Sequence, residues 1–111
     1  MHILRLDTRY FEKIAAGEKT VELRLFDEKR QRIAVGDEIL FADRADPART
    51  LRTRVVALYR FADFAALFRA LPHAALGYAP TEQASPADME CFYTREEIAR
   101  YGVVGIEIRL I

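Results

Sequence analysis

Four different polar chemistries fall between Lys19 and Arg24, in the run Gly17-Glu18-Lys19-Thr20-Val21-Glu22-Leu23-Arg24: an ammonium, a hydroxyl, a carboxylate and a guanidinium. A lysine beside a carboxylate can orient a nucleobase carbonyl while the carboxylate accepts from an exocyclic amine. Glu22 could instead act as general base toward water if partial burial raises its pKa. Lys19 or Arg24 would then stabilise the developing oxyanion. The plainer reading is mutual neutralisation, because an exposed pair such as Glu22 with Arg24 is worth roughly 0–1 kcal/mol and implies no ligand.

These residues need a rigid element to position them. Gly17 closes a short helix that carries Tyr10, Phe11, Ile14 and Ala15 at helical spacing after Asp7 as N-cap. A strand from about Thr20 to Phe26 follows, and alternate side chains on a strand point to opposite faces. Val21, Leu23 and Leu25 then face the core. Thr20, Glu22 and Arg24 face a cleft with Lys19 at its mouth, where Lys19→Ala or Glu22→Ala is expected to spare the fold.

The chain has 111 residues, 51% of them apolar, which suits one domain over residues 1–111 with a core that needs no disulfide staples. Its 17 basic and 17 acidic residues cancel, so any grip on nucleic acid must come from a local patch. Cys91 is the single cysteine, which excludes an internal disulfide and suits a reducing, cytoplasmic setting. With His2 and His73 it gives too few ligands for a Cys/His zinc site, and no cofactor or metal is expected. The first residues lack a long apolar run, so no signal peptide or membrane partner is expected. No Gly-rich phosphate loop or Gly-x-Ser-x-Gly elbow occurs.

Further strands are predicted over His2–Leu6, Glu38–Ala42 after the Gly36-Asp37 turn, Leu51–Tyr59 and Val103–Ile111. Asp27 to Arg32 reads as a charged connection. Asp63 caps a helix through Phe64, Leu67, Phe68 and Leu71, and Ser85-Pro86 opens a short one. Thr94-Arg95-Glu96-Glu97 is a capping box for a helix ending at Gly102. The central strands have no helix between them. The expectation is therefore an α+β fold: a small, mostly antiparallel, partly closed β-barrel of about five or six strands with helices at the rim.

Lys29 and Arg30 follow the signature strand and could contact phosphates at the cleft rim. Arg52 and Arg54 share one face of a later strand and read as solvent-facing. Tyr59 and Tyr93 sit at element ends, where a ring face can be offered to a base. Phe26, Phe41, Phe61, Phe64 and Phe68 read as core, and Cys91 as a small buried residue. Residues 72–85 are irregular and leave open whether they form a lid.

The pattern Gly17-x-Lys19-Thr20-x-Glu22-x-Arg24 resembles the signature of the ASCH domain family, in the PUA-like superfamily. Gly36-Asp37-x-Ile39 and Tyr101-Gly102-Val103-Val104-Gly105-Ile106 fit the same layout, so the resemblance covers nearly the whole chain. It implies a PUA-like barrel with a cleft beside the signature strand and a role in RNA or nucleotide recognition. One bacterial branch hydrolyses N4-acetylcytidine, and another member type is associated with RNA cleavage. The amidohydrolase branch resembles this chain at Lys19 but carries a threonine nucleophile where this chain has Glu22. On that resemblance the ligand-binding residues are Lys19, Thr20, Glu22, Arg24, Lys29, Arg30 and Tyr93. The ligand is RNA or a nucleoside-type small molecule. The alternative is a small hydrolase of N4-acylated cytidine or RNA phosphodiesters, with Lys19 and Glu22 catalytic. A third option is an interaction module with a vestigial cleft.

Overall fold

Five strands form one curled sheet in the order β1-β3-β4-β5-β2. They are β1 (His2–Leu6), β2 (Val21–Leu25), β3 (Glu38–Asp43), β4 (Thr50–Phe61) and β5 (Val103–Leu110) in a computed structural model that describes residues 1–111. Only β1 with β3 is a parallel pair; β3–β4, β4–β5 and β2–β5 are antiparallel. Four helices complete the α+β fold: α1 (Thr8–Ala15), α2 (Glu28–Gln31), α3 (Phe64–Ala70) and α4 (Arg95–Tyr101), with a 3-10 turn at Pro86–Met89.

The helix starts follow their caps. Asp63 accepts from the Ala66 amide, Ser85 from Ala87, and Thr94 and Glu97 complete a reciprocal capping box. Asp7 precedes α1 but makes no side-chain capping bond. The supposed charged connection after β2 is in part a one-turn helix, α2, because the Asp27 carboxylate accepts from the Arg30 amide and nucleates it. Its charged composition describes an exposed helix as well as it describes a loop.

The sheet has two edge strands, β1 and β2, and side chains span the seam between them. Arg24 on β2 donates from Nη2 to the Arg5 carbonyl at 2.7 Å. Lys29 on α2 donates to the Ile3 carbonyl at 3.1 Å. Both carbonyls lie on the free edge of β1, where a backbone acceptor otherwise relies on solvent.

Two apolar clusters lie on opposite faces of the sheet. Leu4, Leu6, Phe11, Phe41, Val104 and Ile106 belong to the cluster on the concave side. Val21, Leu23 and Leu25 belong to the other, under Phe64, Leu67 and Phe68 of α3 and Leu76 beyond it. β2 is thus buried along its whole length on both faces. Glu22 stands opposite Ile106 and Arg24 opposite Val104, and directly paired residues share a face. The charged pair therefore belongs to the concave core. The expectation of a single apolar core on one side, with an open polar cleft on the other, is corrected on this point.

Candidate functional site

The site begins where α1 gives way to β2. Gly17 takes φ +77°, a left-handed turn that glycine adopts without steric cost. The Lys19 amide then bonds back to the Lys13 carbonyl at 3.1 Å, and the lysine side chain turns inward. Its ammonium donates to the Leu76 carbonyl at 3.0 Å and lies 3.5 Å from Glu22 Oε1. Arg24 Nε and Nη2 both lie 2.8 Å from Glu22 Oε2. The Leu23 amide donates to Oε1 at 3.2 Å. Lys19, Glu22 and Arg24 are only 4%, 5% and 8% exposed, so they form a buried triad with two cations and one anion.

Burial pushes the Glu22 carboxyl up, but Arg24 and Lys19 with their hydrogen bonds outweigh it and hold it below the usual glutamate range. Burial pushes the Lys19 ammonium down, and Glu22 only partly compensates, so it stays below an ordinary lysine. The Arg24 guanidinium loses to burial but gains more from Glu22, and it is raised. Glu22 is thus a fixed acceptor. A general base works best with a pKa near the working pH, and Glu22 is moved the other way.

The triad lies at the floor of an open pocket. Leu76, Gly77 and Tyr78 form part of its wall, with Met89, Phe92 and Tyr93 from the segment around the 3-10 turn. Tyr10 of α1 faces them. Its ring centroid lies 5.4 Å from Lys19 Nζ and 5.1 Å from Arg9 Cζ, within cation–π range. Phe92 meets Tyr10 edge-on at 6.3 Å, and Tyr93 stacks on Phe64 at 5.8 Å. Burial raises the Tyr93 hydroxyl against the lowering effect of Arg24. The space it offers amounts to about 70 Å³.

Lys19, Glu22, Arg24 and Tyr93 therefore come together as the sequence suggests. Three of the expected residues do not join them. Thr20 is exposed and absent from the pocket, because regular alternation starts only at Val21. Its amide goes to the Ala75 carbonyl, and its carbonyl accepts from Ile108. Lys29 is committed to the β1 edge, and Arg30 pairs with its own cap, Asp27, at 2.9 Å. Neither lines the pocket. Tyr59 donates to Glu107 at 2.9 Å on β4, away from the site. Cys91 is exposed rather than buried, and its thiol meets the Asp88 carbonyl.

The mouth is supplied instead by Arg5, Asp7, Arg9 and Arg44, which sequence reasoning left out. Arg5 and Arg9 flank Asp7 at the β1–α1 junction, and only the tertiary approach of that junction to β2 brings them here. No group of three or more His, Cys, Asp or Glu side chains is placed to hold a metal ion. No helix is long and apolar enough to cross a membrane.

The ASCH domain family profile matches residues 4–111. Among solved structures, the crystal structure of hypothetical protein PH0355 superposes with a TM-score of 0.79 at 31% identity, covering 98% of this chain and 97% of that one. The NMR structure of protein PF0455 from Pyrococcus furiosus gives 0.68 at 27% identity, with 99% and 96% covered. The ASCH crystal structure from Zymomonas mobilis shares the fold at 15% identity and a TM-score of 0.65; the match spans 96% of this chain and 65% of that longer one. No curated protein matches the sequence.

Proposed function

Because the chain belongs to the ASCH domain family, we propose that it binds a nucleoside unit, free or within RNA, with the base in the Lys19–Glu22–Arg24 pocket. The observation that carries this reading is a buried, net-cationic triad flooring a pocket walled by Tyr10 and Tyr93. Structural ion pairs are common. A structural pair gains nothing, however, from an aromatic-lined opening above it, whereas a base uses both the ring faces and the polar floor. Lys19, bonded to the Leu76 carbonyl and facing Glu22, keeps a third N–H that can be donated to a base carbonyl, while Glu22 fixes the direction of both cations. The space of about 70 Å³ is smaller than the ~150 Å³ cavity that takes up benzene, so a whole base fits only if the pocket wall gives way.

The test is titration of the parent, Tyr93→Ala and Lys19→Met with cytidine and a short single-stranded RNA, followed by tyrosine fluorescence or calorimetry. Loss of a stacking ring at about 1–3 kcal/mol per base predicts a roughly 5- to 150-fold weaker complex for Tyr93→Ala. Equal binding by parent and both variants removes the site assignment.

A second reading, hydrolysis of an N4-acylated cytidine or an RNA phosphodiester, uses the same pocket. The observation in its favour is Lys19: an ammonium with a lowered pKa, 3.5 Å from an ionised carboxylate, is suited to carrying a proton.

A further inference from the structure

The mouth of the pocket carries positive charge that its floor does not use. Arg5 and Arg9 line it, both are exposed, and neither guanidinium has an ion-pair or hydrogen-bond partner. Some other surface arginines are already paired, Arg49 with Glu12 and Asp43, Arg52 and Arg54 with Glu38. Arg44, also at the mouth, is paired with Asp7 at 3.3 Å. In a chain of zero net charge, this one pocket gathers five cationic side chains against two carboxylates. A neutral nucleoside gives that surplus nothing to bind.

Tyr10 ties the two levels together. Its ring has the Lys19 ammonium at 5.4 Å and the Arg9 guanidinium at 5.1 Å, so one wall touches both the floor cation and a mouth cation. A base seated at the floor leaves its sugar and whatever the sugar carries at the level of Arg9 and Arg5.

We propose that the ligand is a nucleotide, a nucleoside bearing a phosphate monoester or diester, and that Arg5 and Arg9 hold the phosphate. This rests on the reading of the pocket as a nucleoside site and adds the chemical class of its occupant. Guanidinium is suited to the task because its planar fork matches phosphate oxygens and stays charged at any working pH. Both side chains are unpaired beforehand, so binding breaks no existing ion pair.

The experiment compares Kd for cytidine, cytidine 5′-monophosphate and a short single-stranded RNA at low and near-physiological salt. The proteins are the parent, Arg5→Ala/Arg9→Ala and, as a control for loss of surface arginine, Arg52→Ala/Arg54→Ala. The parent should bind the monophosphate or the RNA at least roughly tenfold tighter than cytidine, the increment of a charge-assisted contact. In Arg5→Ala/Arg9→Ala that preference should collapse toward one, while the control keeps it. For the RNA, losing two phosphate contacts should flatten the slope of log K against log salt by about 1.4. A gain seen with the monophosphate identifies a monoester ligand; one confined to RNA identifies a diester. Equal affinity of the parent for cytidine and both phosphorylated ligands overturns the phosphate assignment and leaves the nucleoside reading standing. An equal loss in the control also overturns it, since the effect would then be diffuse charge. Absence of binding by all three ligands overturns both.

Discussion

Removing Glu22 should damage the fold far more than removing Lys19, although the two side chains touch. Glu22 is the only anion in the triad. It faces Arg24 at 2.8 Å and Lys19 at 3.5 Å, and it accepts the Leu23 amide. Glu22→Ala strands two cations in an interior where all three residues are less than a tenth exposed. The figure for exposed pairs does not apply here. Breaking a buried pair by deleting one partner costs about 3–5 kcal/mol, because the survivor stays desolvated. Lys19→Met is different: it leaves Glu22 and Arg24 as a neutral pair and keeps most of the apolar stem. The chief loss is the donor to the Leu76 carbonyl, worth about 1 kcal/mol. At roughly 4 °C per kcal/mol for a domain of this size, Tm should fall by about 12–20 °C for Glu22→Ala and by about 4 °C for Lys19→Met. Urea unfolding with matched m-values separates the two free energies. Equal losses, or a Glu22→Ala protein that melts like the parent, would refute a buried triad held together by its single anion.

The same triad sets a pH dependence. Glu22 has a folded pKa below its unfolded one. Its contribution is therefore complete above the unfolded value near 4.5 and is lost as the pH falls through the folded value. Lys19 acts in the opposite sense: its folded pKa lies below 10.5, so the charged ammonium penalises the folded state at neutral pH. That penalty is relieved as the pH rises through the folded value toward 10.5. The stability of the parent relative to Lys19→Met should accordingly rise between neutral pH and about 10, and a flat difference would contradict a desolvated lysine. Gly77 has φ +101°, and an added methyl would sit 3.3 Å from the Lys19 stem. Gly77→Ala should cost about 1–3 kcal/mol and weaken ligand binding by displacing Lys19; a variant with unaltered melting and affinity would show that this packing is slack. Chromatography of N4-acetylcytidine and of a short RNA after incubation with the protein checks the hydrolytic reading. Turnover by the parent should fall at least ~100-fold in Lys19→Met and in Glu22→Gln, and turnover that survives both excludes this pair from the chemistry.

Local signals carried most of the fold. Asp63, Ser85 and Thr94 mark helix starts because each cap bonds within three residues of itself. The strands around Ile39, Val55 and Ile106 follow from alternation that one buried face imposes. Lys19, Glu22 and Arg24 were legible as a group because their spacing is local. The mouth was not. Arg5 and Arg9 reach the pocket because the β1–α1 junction comes up against β2 in the folded chain, an approach that nothing local in the sequence announces. Lys29 and Arg30 were misread for the complementary reason. Charge in a sequence shows that a cation is present but not that a carbonyl or a cap aspartate has already claimed it. Thr20 was misplaced by running the strand one residue too far: β2 begins at Val21, and Thr20 lies before it, exposed.

The open seam explains why the site and the fold cannot be perturbed independently. A sheet that does not close leaves acceptors on its edge strands, and here the donors to them are side chains. Arg24 satisfies the Arg5 carbonyl on one strand and Glu22 on the other with a single guanidinium. Glu22 orients that guanidinium and holds Lys19, and Lys19 in turn anchors the Leu76 carbonyl of the segment that walls the pocket. Each link of the pocket floor is therefore also a link between β1, β2 and the irregular chain beyond α3. A ligand that draws Lys19 away from Glu22 or from Leu76 loosens that wall. Ligand entry and local stability should be coupled through Lys19, and they should be separable at the side chains of Arg5 and Arg9, which line the mouth without an ion pair or hydrogen bond.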